Sequence, residues 1–107
     1  MVIADPLNAF PDEALKRVGI PIQLWVSELG GDGVSPASVD AVRQGLGVAP
    51  DYRVARGAGH FAFLAPCSPE QAEALPAICK DEPGFDRVGL HRDLNARAAA
   101  YFKAQLR

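Results

Sequence analysis

Two side chains have the type and the setting to do chemistry. His60 lies in Gly57-Ala58-Gly59-His60-Phe61, a run of small residues, and Asp32 lies in Gly30-Gly31-Asp32-Gly33. Glycines let the backbone take conformations that other residues resist, so such a loop can aim a single polar side chain. A histidine beside a carboxylate is the arrangement of a general base. The acid fixes the imidazole tautomer and stabilises the cation formed when a proton is taken. Each residue also has a plainer reading. Asp and Gly together dominate tight turns, and a histidine can simply hydrogen-bond a neighbouring carbonyl.

The surrounding punctuation shows what must position these loops. Val2-Ile3-Ala4 is a short apolar run that Asp5-Pro6 terminates, because proline cannot donate to a ladder. Pro11-Asp12-Glu13 has the form of a helix start, followed by Leu15 and Val18 on one face and stopped at Gly19. Residues 20–26 predict a second strand, with Ile22, Leu24 and Val26 alternating against Gln23 and Trp25. Trp25 on the opposite face is expected as core beneath a helix. Ser35-Pro36 supplies a cap and first helical position, and Val39, Val42 and Leu46 repeat at helical spacing before Gly47. Tyr52 to Ala55 reads as a third, half-exposed strand. Ser68-Pro69-Glu70-Gln71 is a capping box opening one short helix, limited by Pro76. A last helix runs from about His91 to the end, with Leu90, Leu94, Ala98, Tyr101 or Phe102, and Leu106 as its apolar stripe. His91 is expected on its solvated surface, and the Phe61-Ala62-Phe63-Leu64 run in the core beneath it.

The order β-α-β-α-β-α-α predicts one α/β domain over residues 1–107, with about three parallel strands, right-handed crossovers and a long C-terminal helix. Asp32 and His60 then both follow strands, at the end of the sheet where open α/β folds place their sites.

Composition limits the partners. The chain has 107 residues, 49% of them hydrophobic, and 11 basic against 13 acidic side chains for a net charge of −2. That is the composition of a folding globular chain. No basic stripe is available to neutralise phosphates, which argues against nucleic acid. No apolar run approaches the roughly 20 residues of a membrane span. Cys67 and Cys79 stand twelve positions apart. A disulfide between them would stabilise by roughly 3 kcal/mol through the unfolded chain's entropy; two buried free thiols are the other reading. A metal site lacks further ligands, and a redox pair lacks the Cys-x-x-Cys spacing. Pairing would imply an oxidising compartment such as the periplasm. Without it the cytoplasm is expected, since the N-terminal residues lack the basic region of a signal peptide.

Taken in order, the motifs resemble the C-terminal part of an α/β-hydrolase. In that fold the triad acid commonly stands in an Asp-x-x-x-Pro loop, as in Asp32-Gly33-Val34-Ser35-Pro36. The triad histidine commonly follows as Gly-x-Gly-His, matched by Gly57 to His60, and the acid-before-histidine order agrees. The stretch from Gly57 to Cys67, with Pro83-Gly84-Phe85-Asp86-Arg87 and the closing helix, is similar to bacterial dienelactone-hydrolase-like proteins. The resemblance implies a partial α/β-hydrolase fold carrying the family's sixth to eighth strands. It also implies Asp32 and His60 as acid and histidine of a serine triad, a small-molecule ester or lactone as substrate, and no cofactor.

The nucleophile is not among these residues. No Gly-x-Ser-x-Gly elbow occurs, and Ser27, Ser35, Ser38 and Ser68 lack its glycines. Hydrolysis would therefore need an N-terminal part to complete the site, and the chain alone is expected to be inactive. The alternative is a hydrolase-like domain that folds and self-associates without turnover. In the resembled fold the Val2–Ala4 strand has a neighbour on both sides. Here its outer edge should be open, so a homo-oligomer through that edge or an exposed apolar face is expected.

Overall fold

Parallel pairing of three strands organises the computed structural model, which describes residues 1–106. The strands β1 (Val2–Ala4), β2 (Gln23–Ser27) and β3 (Asp51–Ala55) lie in the order β1-β2-β3. Ile3 is in register with Leu24, and Leu24 with Tyr52. Between them run α1 (Asp12–Lys16) and α2 (Pro36–Gly45). After β3 come a 3-10 turn at His60–Phe63, the short helices α3 (Pro69–Ala74) and α4 (Pro76–Cys79), and the long α5 (Arg87–Gln105).

Alternation along the strands builds two small cores. On one face Ile22, Leu24 and Val26 pack with Val34 and Val39 under α1 and α2, joined by half-buried Ile3, Leu46 and Tyr52. The guanidinium of Arg43 lies 4.5 Å from the Tyr52 ring centroid. Burial pushes the Tyr52 phenol above its ordinary pKa, and the Arg43 charge pulls the other way. On the opposite face Trp25 is 2% exposed and packs with Ala55, Ala58 and Ala62, beneath Phe85, Leu90 and Leu94. The Trp25 indole donates to Gln23 Oε1 at 2.9 Å, and the Gln23 amide donates to Asp51 at 2.9 Å. The polar atoms of this buried pair are thereby satisfied.

Local signals account for most boundaries. Ser35 caps α2 by accepting from the Ser38 N–H, and Ser68 caps α3 by accepting from the Gln71 N–H, with the Gln71 side chain accepting in return. Three features differ from the sequence expectation. The helix after Ser68 is two helices, because Leu75 leaves the helical region (φ −129°, ψ 57°) and Pro76 starts a new turn. Helix α5 begins at Arg87, ahead of His91, because Asp86 accepts from the Gly89 N–H as its cap. Of the expected stripe of α5, Leu90 and Leu94 pack against the core and Ala98 and Tyr101 are half-buried, whereas Phe102 and Leu106 are exposed.

Leu24, on the central strand and 1% exposed, concentrates the packing of one face. Leu24→Ala is expected to lower the unfolding free energy by about 3 kcal/mol, read as a shift of the urea midpoint at unchanged slope.

Candidate functional site

Beyond Ala4 the chain makes one more ladder bond, from the Asp5 N–H to the Trp25 carbonyl at 3.0 Å, and then leaves the sheet. Asp5 does so in the left-handed region, at φ 44°. That conformation is uncommon for a residue with a Cβ, and Asp tolerates it better than most. The turn directs the carboxylate inward, where it is fully buried. It accepts from the Ser27 N–H at 2.8 Å, from the Ser27 hydroxyl, and from His60 Nδ1 at 2.9 Å. A buried carboxylate is costly unless it is paired and hydrogen-bonded, and these three donors meet that requirement.

His60 is delivered by two loops laced together. Glu28 N–H donates to the Ala55 carbonyl, Leu29 N–H to that of Ala58, and His60 N–H to that of Gly30 at 2.8 Å. Glu28 also accepts from the Gly57 N–H at 3.2 Å. Gly30 has no room for a side chain: its φ is 66°, and a Cβ there would lie 2.4 Å from the Val34 carbonyl oxygen. The His60 side chain is 26% exposed. Its Nδ1–H points to a carboxylate, so the hydrogen bond assigns the tautomer and leaves Nε2 as the basic nitrogen. A pocket of about 210 Å³ adjoins it, walled by Leu29, Gly30 and Phe61 on one side and by Ala77, Lys80 and Glu82 on the other.

The carboxylate joined to His60 is therefore Asp5, not Asp32. Asp32 and Gly33, at φ 50° and 84°, are the central residues of a tight turn closed by hydrogen bonds in both directions between Gly31 and Val34. Asp-Gly is favoured where both central residues need positive φ. The Asp32 carboxylate is exposed and, among the described residues, has no hydrogen-bond partner. Asp5 carried one readable signal: an acid immediately after a strand, at the same sheet end as His60. The register between β1 and β2, which brings Asp5 to Ser27, was not readable from one-dimensional pattern.

Ser27 cannot serve His60 as nucleophile, because its hydroxyl is fully buried and committed to Asp5. No hydroxyl or thiol of the described residues is hydrogen-bonded to His60 Nε2. His91 is not on a solvated surface. It is half-buried, and its Nε2–H donates to the Ala62 carbonyl at 2.8 Å, tying α5 to the 3-10 turn that begins at His60. Of the aromatic run, Ala62 is buried and Phe63 packs under α5, whereas Leu64 is exposed.

The far wall of the pocket is stapled. Cys67 and Cys79 are joined by a disulfide enclosing α3 and most of α4. Just beyond it Arg87, 6% exposed, donates to both Asp81 oxygens and to the Ile78 carbonyl. A two-pronged pair of this kind fixes geometry as well as charge. Among the described residues no group of His, Cys, Asp and Glu is placed to hold a metal ion, and no helix is long and apolar enough to cross a membrane. No family model, no curated protein and no solved structure matches this chain.

The two acids should separate cleanly. Asp5→Ala leaves buried Ser27 donors without an acceptor and should cost about 3 kcal/mol, whereas Asp32→Asn, exposed in its turn, should stay within about 0.5 kcal/mol of the parent; urea unfolding of both variants checks this. Reducing the disulfide should cost a further roughly 3 kcal/mol for a loop of this length. Equal urea midpoints with and without reductant would show that it does not.

Proposed function

We propose that Asp5 and His60 are the acid and histidine of a hydrolase site acting on small esters or lactones. The observation that carries this reading is the 2.9 Å hydrogen bond from His60 Nδ1 to a buried carboxylate at the C-terminal end of a parallel sheet. The likeness of Gly57 to Phe61 and of the closing helix to dienelactone-hydrolase-like proteins supports it. In this reading Asp5 holds the imidazole and stabilises its cation. Nε2 takes the proton of a nucleophile and returns it to the leaving group. Asp32 keeps the turn that sets Gly30 against His60. The nucleophile comes from polypeptide other than these residues.

A second reading, a hydrolase-like domain without turnover, is favoured by the commitment of the Ser27 hydroxyl to Asp5. Both readings give the same result for a fluorophosphonate probe on this chain, namely no labelled serine. They part on an activated acetate ester such as p-nitrophenyl acetate. A working acid–histidine pair slowly hydrolyses it: Nε2 takes a proton from a water that attacks the acetyl carbonyl, releasing acetate and nitrophenolate. His60→Ala then removes that release, Asp5→Asn lowers it about tenfold or more, and Asp32→Asn leaves it unchanged. Release indifferent to His60 and Asp5 would favour the inert domain.

A further inference from the structure

The two edges of the sheet are treated differently. The outer strand β3 carries Asp51 and Arg53, paired with each other, and just beyond it Arg56 pairs with Glu28. Charges on an edge strand discourage another chain from adding to it. The opposite edge, β1, is Val2-Ile3-Ala4, without a charge. The ladder fixes which of its groups are free. The Gln23 N–H donates to the Met1 carbonyl and the Asp5 N–H to the Trp25 carbonyl. Odd-numbered residues therefore face β2, and the N–H and C=O of Val2 and Ala4 point outward, since direction alternates along a strand.

An apolar groove of about 380 Å³ runs beside this edge, lined by Met1, Ile3, Phe10, Leu15, Val18 and Leu46 among others, none with a charged side chain. Met1 and Phe10 on its rim are about half exposed, as are nearby Leu7 and Ile20. The molecule is a slab of 43 × 32 × 19 Å. Its accessible surface of 6782 Å² exceeds by roughly 1,000 Å² the value of about 5,800 Å² usual for a folded monomer of 11.4 kDa. That excess is spread over the whole molecule, and its size is comparable to the roughly 800 Å² each partner buries in a stable interface of ordinary size.

We propose that the β1 edge and this groove form the contact surface of a symmetric dimer, with a second copy of this chain as the occupant. The strand is self-complementary. Antiparallel pairing about a two-fold axis at Ile3 sets Val2 of each copy against Ala4 of the other and satisfies every outward-pointing group of both strands. It brings the two Ile3 residues together with Cα atoms about 4.5 Å apart, on the groove face. The three-stranded sheet is thereby doubled into one continuous sheet, and the open edge is removed. The small net charge of −2 gives two copies little reason to repel.

Light scattering and sedimentation across the micromolar-to-millimolar range test this on the intact chain and two variants. Val2→Pro deletes an outward N–H and no ladder bond, and Phe10→Asp puts a charge on the exposed rim of the groove. Amide exchange at Val2 and Ala4 is followed over the same range. The expected result is a dimer at micromolar concentration, with protection of those two amides that grows with concentration. Each variant should weaken the dimer about tenfold or more, with the far-UV spectrum unchanged. A monomer throughout, which would leave this edge open or to a different polypeptide, overturns the proposal. So does a dimer that either variant leaves intact.

Discussion

A carboxylate buried without donors is among the least stable things a protein can contain, and the arrangement of this chain around Asp5 follows from that. The Asp5 side chain is out of contact with water, so it must collect hydrogen bonds from whatever surrounds it. Ser27 answers with two donors, which ties the end of β1 to the end of β2. His60 answers with a third, which draws in the loop after β3. One acid therefore links the C-terminal ends of all three strands, and the same geometry that satisfies it also orients the imidazole. Structural need and chemical capability coincide here in a single group.

The consequence for the site is a division of labour between two aspartates. Both Asp5 and Asp32 have positive φ, and both follow strands. Asp5 uses that conformation to turn inward onto Ser27. Asp32 uses it to close the Gly31–Val34 turn, and Gly30, just before that turn, gives its carbonyl to the His60 N–H. One acid acts on the imidazole and the other on the backbone that carries it. On the far side of the pocket the Cys67–Cys79 bridge and the Arg87–Asp81 pair hold short helices that bury little of their own. A wall made of a four-residue helix and the three residues that follow it has no core of its own to keep it in place, and the covalent and ionic ties supply what packing does not.

Much of the fold was legible in the chain. Alternation at Ile22, Leu24 and Val26 fixed the central strand, Ser35-Pro36 and Ser68-Pro69 fixed two helix starts, and the core place of Trp25 followed from its opposite phase. Those signals are local: a cap, a proline or a period of two acts within a few residues. His60 was legible for the same reason, because its small-residue loop is contiguous. Two divergences have different causes, one local and one distant. The start of α5 moved to Arg87 through the Asp86 cap, a short-range feature passed over because the apolar stripe began later. His91 was placed in solvent because nothing near it in sequence reveals the Ala62 carbonyl, twenty-nine positions away.

The pairing of acid with histidine marks the boundary most sharply. The sequence determined that an aspartate and a histidine would stand at one end of a parallel sheet, and it determined the turns that put them there. It pointed to Asp32, in its Gly-rich loop, as the acid, and marked Asp5 in Asp5-Pro6 only as the end of a strand. Only the tertiary structure chose between them, because the choice depends on strand register. Pairing Ala4 with Trp25 brings the Asp5 carboxylate within hydrogen-bond reach of Ser27 and of a residue fifty-five positions on. Register is set by the whole buried face of a sheet and not by any short motif, so the identity of the acid became definite only when the strands were assembled.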